Sequence, residues 1–172
     1  MRKFGNNILE YPLSITTDSK DRIIVVESFN GNVVIFDAMG IVLNTFNCHY
    51  IQLSRGVAVN KSMEIFIVDH KRHCIKVFDY HGNYMRQIGC EGITNSPIGV
   101  VLTESGNIAI ANYLKTFNLV VFNQSGLLLR SLKSDEMNGY IGMALMKDGS
   151  LVMGSKGEDS TCTISLDLQW FV

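Results

Sequence analysis

Charge and long apolar runs are both scarce in this sequence, and each scarcity excludes a class of protein. Charged residues make up 18% of the chain and the formal net charge is −1, so no bulk basic field marks a nucleic-acid binder and any basic patch must be local. The longest apolar stretches, such as residues 23–26 and 127–129, fall far short of the roughly 20 residues that cross a bilayer. We therefore predict no membrane-spanning segment.

The composition and the first residues fit a compact intracellular domain. Hydrophobic residues make up 47% of the chain, enough for a sizeable core, and the low charge argues against disorder. Residues 1–5 lead into asparagine and glutamate rather than into an apolar segment, so no signal peptide is predicted. A cytoplasmic location is the default expectation.

Cysteine is sparse and unpaired in the sequence. The chain has 4 cysteines and no Cys-x-x-Cys pair: Cys48, Cys74, Cys90 and Cys162. An intracellular chain keeps such thiols reduced, so no disulfide framework is predicted. The nearest approach to a metal site is His70, His73 and Cys74, but structural zinc requires closely spaced Cys/His pairs that supply four ligands. We favour a polar loop beside an inward-facing Cys74, and we predict neither a metal nor a cofactor.

A repeated phrase is the main positive feature of the chain. Phe-Asp-x-x-Gly or Phe-Asn-x-x-Gly ends at Gly40, Gly82 and Gly126, with spacings of 42 and 44 residues. Phe4, Phe46 and Ile88 keep a spacing of 42 residues as well. A repeat of this length with strand-like content indicates a β-propeller blade rather than a helical solenoid unit. We place the repeats at about 6–47, 48–89, 90–133 and 134–172, within one partial propeller that spans residues 1–172.

Each unit is predicted to contain four short strands. In the second unit, runs of β-branched and aromatic residues are separated by turn residues, which predicts strands at 55–59, 64–68, 74–78 and 84–88. No window shows apolar residues at helical spacing behind a cap, so the fold class is all-β. Asp37, Asp79 and Asn123 begin the turns before the repeated glycines, and we assign them a structural role.

The repeated phrases resemble NHL repeats, in which a Pro-x-Gly-Val start is followed by an acidic residue, a polar loop and a strand ending in Phe-Asp-x-x-Gly. The resemblance is sharpest in residues 73–78, 84–89 and 91–100, and it includes Ala-Leu-Met-Lys-Asp-Gly-Ser at 144–150. The similar segment runs from Lys3 to about Ser155, and it resembles the late blades of the TRIM-NHL family.

This resemblance implies a six-bladed propeller at the C-terminus of a longer scaffold protein. Such a module is expected to bind single-stranded RNA in mRNA 3′ untranslated regions and to repress translation, with protein co-repressors as further partners and without DNA or membrane binding. About four four-stranded blades are present of the six, so we expect the chain to be a fragment, a divergent copy or a truncated gene model. A soluble, cooperatively melting monomer would contradict that expectation.

Propeller geometry predicts which residues face the RNA. The loop leading into the innermost strand (the 4–1 loop) and the loop joining the second and third strands (the 2–3 loop) open on one face in such propellers. There they would place cations for phosphates and flat or amide side chains for splayed bases. The candidate RNA-binding residues are Phe29, Asn30, Arg55, His70, Lys71, Arg72, His73, Asn95, Asn112, Tyr113, Lys115, Phe117 and Tyr140. The alternative is that these loop cations are simply solvated and that Phe29 and Phe117 pack between blades.

Two other function classes are compatible with a β-propeller. Propeller enzymes hold metals with carboxylates and histidines on the innermost strands, but residues 15–17, 57–59, 100–102 and 143–145 offer almost no ligands, so we predict no enzyme. A protein-docking platform of a ubiquitin-ligase-type scaffold, without RNA contact, is the stronger alternative. Salt response separates it from RNA binding, because phosphate contacts weaken steeply with ionic strength.

Overall fold

The prediction of an all-β chain is confirmed. The computed structural model describes residues 3–28, 30–49, 51, 53–113, 117–134, 140–156 and 161–167, and every regular element in these ranges is a β-strand. The described residues form four antiparallel sheets, each in plain chain order. We call them blades 1 to 4.

Blades 1 to 3 have four strands each, and blade 4 has three strands in the described ranges. Blade 1 contains β1 (Pro12–Thr17), β2 (Ile23–Glu27), β3 (Asn32–Phe36) and β4 (Val42–Asn47). Blade 2 contains β5 (Val57–Val59), β6 (Ile65–Asp69), β7 (Cys74–Phe78) and β8 (Tyr84–Ile88). Blade 3 contains β9 (Pro97–Leu102), β10 (Ile108–Asn112), β11 (Phe117–Phe122) and β12 (Leu128–Ser134). Blade 4 contains β13 (Tyr140–Leu145), β14 (Ser150–Lys156) and β15 (Thr161–Asp167).

The blades are arranged side by side around their first strands. β1 neighbours β5, β5 neighbours β9, and β9 neighbours β13. Apolar side chains fill the space between consecutive blades; Ile35 and Ile65 lie in the first such core, and Phe66 and Phe122 in the second. This order is that of consecutive propeller blades, with the first strand of each blade innermost.

The turns between third and fourth strands take the form expected from the repeated glycines. Asp37 Oδ1 accepts the backbone N–H groups of Met39 and Ile41, each at 2.8 Å, and Gly40 has a φ of +86°. Asp79 and Asn123 bond their own turns in the same way. The structural role assigned to these residues is therefore confirmed.

The spacing of 42 residues between Phe4 and Phe46 has a packing explanation. Phe46, near the end of β4, lies directly against Gly82 in the outer turn of blade 2, and Phe4 lies in the same way against Gly40 of blade 1. Phe4 also contacts Phe36, with 5.3 Å between ring centroids. Phe4 thus occupies, on blade 1, the place that the end of a neighbouring outer strand occupies on blade 2.

At the end of the blades where these turns lie, a polar contact joins blades 1 and 2. The Tyr80 hydroxyl donates to Asp18 Oδ2 at 2.6 Å, Arg22 pairs with the same oxygen at 2.6 Å, and the Arg22 guanidinium lies 4.2 Å from the Tyr80 ring centroid. Burial alone would raise the pKa of Asp18, but the hydrogen bonds from Tyr80 and Arg22 outweigh it and lower the pKa to about 2.

Tyr80→Phe is expected to lower the free energy of unfolding by about 1.5 to 3 kcal/mol at neutral pH, because a hydrogen bond to a charged carboxylate is lost. The folded pKa of Asp18 is depressed from 3.8, so the stability it contributes is present above pH 3.8 and is lost as the pH falls through about 2. Urea unfolding at pH 7 and pH 3 checks this result: the difference between wild type and variant should shrink at pH 3. An equal difference at both values would exclude Asp18 as the partner that matters.

Candidate nucleic-acid interface

The 2–3 loop of blade 2 is locked onto the 4–1 loop of blade 3. His70 Nδ1 lies 3.1 Å from the Pro97 carbonyl oxygen, and the Ser96 N–H donates to His73 Nδ1 at 2.8 Å. The buried Thr94 hydroxyl donates to the His73 carbonyl. At the previous junction, Ser28 Oγ donates to the Ser54 carbonyl at 3.2 Å. The two kinds of loop therefore meet on one face, as the sequence predicted.

The two histidines of this junction are held in opposite tautomers. A carbonyl oxygen only accepts, so His70 carries its proton on Nδ1; an N–H only donates, so Nδ1 of His73 is unprotonated. Burial is the largest cause that lowers the pKa of His70, and the charges of Arg55 and Lys71 lower it further. The backbone groups of Pro97 and Ser96 oppose that shift without cancelling it. His70 is accordingly neutral at neutral pH, with Nε2 as an acceptor.

A buried polar residue ends the second strand of each of the first three blades. These residues are Glu27, Asp69 and Asn112, each at most 3% exposed. Each one bonds the 2–3 loop or the strand that follows it. The general NHL pattern indicated an acidic residue here, but our site prediction took only Asn112 from this set and assigned it to RNA.

Asn112 is corrected to a positioning role. Its side chain is 3% exposed, and its Nδ2 donates to Asn118 Oδ1 at 2.9 Å, directly across the β10–β11 pair. This hydrogen bond joins the two strand ends from which the 2–3 loop of blade 3 starts, so the Asn112 amide positions the loop and is not exposed to a ligand. The loop position that suggested Asn112 is the last residue of the strand, and its side chain points into the blade interface.

Asp69 holds the 2–3 loop of blade 2 with its charge. The carboxylate is 3.2 Å from the Lys76 ammonium and 3.4 Å from the Arg72 guanidinium, and it also accepts the Arg72 backbone N–H at 3.2 Å. Asp69 is fully buried and the Lys76 side chain is 8% exposed, whereas 42% of the Arg72 side chain is exposed. Arg72 is thus both anchored and partly open to a ligand.

Glu27 organises blade 1 with neutral donors. Its carboxylate accepts Asn30 Nδ2 at 2.9 Å and Asn32 Nδ2 at 3.2 Å, together with the backbone N–H groups of Glu10 and Tyr11. Burial opposes ionisation, but these hydrogen bonds outweigh it and lower the pKa of Glu27. Asn30 is exposed, but its amide already bonds Glu27 and the Asn32 backbone. The 2–3 loop of blade 1 is therefore held from below by the buried Glu27 carboxylate.

The exposed candidates gather at the junction of blades 2 and 3. Arg55, Lys71 and Arg72 are exposed, and Arg55 and Lys71 lie near enough to His70 to affect its ionisation. Tyr113 is 53% exposed, and its ring centroid lies 6.5 Å from that of His70. We call Arg55, His70, Lys71, Arg72 and Tyr113 the junction patch.

The remaining candidates are placed outside the junction patch or outside the described residues. Asn95 is partly buried, and its Oδ1 accepts the Gly92 N–H at 3.2 Å, while His73 is committed to Ser96. Phe29 and Lys115 lie outside the described residues, and so do the side chains of Phe117 and Tyr140.

The described thiols and acidic groups do not gather into a metal site. No group of three or more His, Cys, Asp or Glu side chains suited to a metal occurs in the described ranges. Burial raises the pKa of Cys48 to about 12 and that of Cys74 to about 11, so both thiols stay protonated and unreactive. A helix long and apolar enough to cross a membrane is likewise absent from the part of the chain that the structure describes.

Comparison with known proteins decides the family. No protein-family model matches the chain. Two curated proteins do match it: B-box type zinc finger protein ncl-1 of Caenorhabditis elegans is 46% identical over 158 residues, and Protein brain tumor of Drosophila melanogaster is 49% identical over 158 residues, each covering 91% of this chain. The chain belongs to the TRIM-NHL family. It spans only 19% and 15% of the length of these two relatives.

Solved structures similar to this TRIM-NHL chain share its fold alone. The chain superposes with a TM-score of 0.77 on a chain of the nidogen/laminin complex, at 15% identity and covering 91% of this chain and 61% of that one. The WD40 β-propeller domain of Doa1 gives 0.69 at 16% identity, covering 93% and 52%. Virginiamycin B lyase from Staphylococcus aureus gives 0.68 at 11% identity, covering 91% and 56%. The predicted propeller architecture is thereby confirmed.

Proposed function

We propose that this TRIM-NHL propeller binds single-stranded RNA, with its first contacts at the junction patch, and acts in the cytoplasm as a non-enzymatic repressor of translation. The observation that carries the proposal is the exposure of Arg55, Lys71 and Tyr113 beside His70 on loops that hydrogen bonds hold in place. Single-stranded nucleic acid requires cations along its backbone and flat side chains against its bases. mRNA 3′ untranslated regions are the substrate that the family resemblance favours.

A small patch suffices for such a ligand in spite of the near-neutral chain. With a net charge of −1, affinity depends on the few cations that face one way, and Arg55 and Lys71 have no carboxylate partner among the described residues. Because the loops are pinned between blades, little order needs to be gained on binding, which favours affinity from few contacts.

The innermost strands support a non-enzymatic role. A cavity of about 270 Å³ lies against them, and among the described residues that line it Thr16 carries the only polar side chain; Val57 and Val100 are typical of the others. Aliphatic walls neither hold a metal nor move a proton. The likeness to virginiamycin B lyase therefore concerns the fold and lends no support to lyase chemistry here.

Protein docking is the second candidate, and a different surface favours it. The outermost strands begin with exposed apolar side chains at equivalent places in blades 1 to 3, among them Leu43, Met85 and Leu129. Repeated exposed apolar residues on outer strands are typical of surfaces that meet other proteins. A ligase-type scaffold without RNA contact would use this rim and not the junction patch.

Lys71→Ala is expected to weaken binding of a ten-nucleotide oligouridine and to reduce the slope of log K against log salt by about 0.7, the value for one phosphate contact on a single strand. Arg55→Ala should act in the same direction. Fluorescence anisotropy across a salt series measures both effects. Lys61→Ala is the matched control, because Lys61 is also an exposed lysine of blade 2 but precedes β6, at its opposite end from Lys71. Equal effects of Lys61→Ala and Lys71→Ala on the affinity, or an affinity that does not change with salt concentration, would contradict the proposal.

A further inference from the structure

Resting on the proposed RNA binding, we infer that His70 determines specificity at the junction patch: its Nε2 accepts a hydrogen bond from the N–H edge of a base stacked on Tyr113. The structure fixes the acceptor because the other ring nitrogen is already committed to the Pro97 carbonyl. The Pro97 contact involves Nδ1, and although the Ser96 backbone also lies close to the ring, the described residues show no hydrogen bond that engages Nε2 with good geometry. His70 is only partly buried, so part of its ring is open to a ligand.

The position of His70 beside Tyr113 selects a base edge as the donor. The two ring centroids are 6.5 Å apart and the planes are inclined by 60°, so a base lying on the exposed Tyr113 ring brings its edge toward the imidazole. The Tyr113 backbone is itself fixed, since its N–H donates to the Ser96 carbonyl at 3.0 Å. One loop of blade 2 and one strand end of blade 3 therefore present a stacking surface with an acceptor at its side.

The neighbouring charges keep His70 an acceptor and supply the rest of the contact. Burial and the cations Arg55 and Lys71 disfavour a second proton on the imidazole. The same cations are placed to receive the phosphates that flank the stacked base. Phosphate binding thus gives the affinity of the junction patch, and His70 gives it a preference among nucleotides that present a donor.

His70→Asn tests this role without removing the loop contact. An asparagine amide can donate to the Pro97 carbonyl from about the place of Nδ1, but it ends before the place of Nε2. His70→Gln is the complementary variant, because its longer amide reaches the place of Nε2. Thermal unfolding of both variants should match wild type closely enough to show that the propeller is intact.

Three ten-nucleotide probes separate the sources of the donor: oligouridine, oligo-N3-methyluridine, which lacks the base N–H, and oligodeoxyuridine, which lacks the ribose hydroxyl. Wild type is expected to bind oligouridine about tenfold more tightly than the N3-methyl probe. In His70→Asn, the affinity for oligouridine should fall to that for the N3-methyl probe, and His70→Gln should recover part of the difference.

The outcomes distinguish this inference from RNA binding itself. Salt-sensitive binding of all three probes with equal affinity, or a preference for oligouridine that persists in His70→Asn, would overturn the role of His70 while leaving the proposed function intact. A preference that depends on the ribose hydroxyl, and not on the base N–H, would overturn the base-edge assignment. Tighter binding of the N3-methyl probe by His70→Asn would show a steric clash in place of a hydrogen bond. A folded wild type that binds no probe would overturn both proposals.

Discussion

Gly82→Ala is expected to lower the free energy of unfolding by about 3 to 5 kcal/mol, one of the largest single-residue effects in the chain. Gly82 has a φ of +87°, which an L-residue adopts only at a cost. A Cβ at this position would also lie 2.6 Å from Cγ of Phe46, far inside van der Waals contact. The side chain of Phe46 is held by blade 2, with 6.2 Å between its ring centroid and that of Phe78.

Gly126→Ala separates the two causes. Gly126 occupies the equivalent turn of blade 3 with a φ of +85°, but its nearest neighbour, Ile88 Cγ1, would be 3.7 Å from an added Cβ. Only the backbone cost of about 1 to 2 kcal/mol applies there. The expected difference in unfolding free energy between the two variants is therefore the cost of the steric clash with Phe46.

Urea unfolding of both glycine variants measures this difference, and a double variant checks its source. Phe46→Ala should cost much less in the Gly82→Ala background than in wild type, because the smaller side chain also relieves the clash. Equal destabilisation by Gly82→Ala and Gly126→Ala would mean that Phe46 moves aside freely. The contact between Phe46 and Gly82 would then not explain why phenylalanine recurs at this position of the repeat.

The fold was predictable because its determinants are local and repeated. Turns such as Asp37 to Gly40 are set by residue types with few conformational options, and strands β7 and β8 fall at the predicted residues. The prediction failed where neighbouring blades decide the outcome. β5 begins at Val57 rather than at residue 55, and the 4–1 loop that precedes it is instead bonded to blade 1 through Ser54 and Ser28.

The sequence predicted which loops lie on the candidate binding face, but it did not predict the side-chain contacts within that face. Loop position identified Arg55, Lys71 and Tyr113 as exposed, but it also selected Asn112, whose amide turns inward to Asn118. The tautomer of His70 depends on a carbonyl 27 residues away in the next blade, which no local pattern encodes. The acidic position of the repeat could have predicted these contacts, because Glu27 and Asp69 occupy it and their carboxylates hold the 2–3 loops in place.

Asp69→Ala is expected to lower the free energy of unfolding by about 3 to 5 kcal/mol, because it removes the Asp69 carboxylate from its ion pair with the buried Lys76 ammonium. The Lys76 side chain is 8% exposed and its nitrogen lies 3.2 Å from Asp69, so water cannot replace the lost partner without opening the junction of the blades. Chemical denaturation at neutral pH measures the loss.

The double variant Asp69→Ala/Lys76→Met is the control, and it separates stability from binding. Replacing Lys76 with an apolar side chain of similar length should restore most of the stability, because the buried ammonium that has lost the Asp69 carboxylate is removed as well. If the double variant is as unstable as Asp69→Ala, the loss comes from the loop bonds of Asp69 and not from its ion pair with Lys76.

Binding should respond differently from stability in these two variants. Asp69 also holds Arg72 through the guanidinium at 3.4 Å and the backbone N–H at 3.2 Å, and no substitution at Lys76 restores those contacts. Oligouridine affinity is therefore expected to fall several-fold in Asp69→Ala and to stay low in the stabilised double variant. Recovery of affinity together with stability would mean that Asp69 acts on the junction patch only by keeping the blades folded, and that the 2–3 loop needs no anchor of its own.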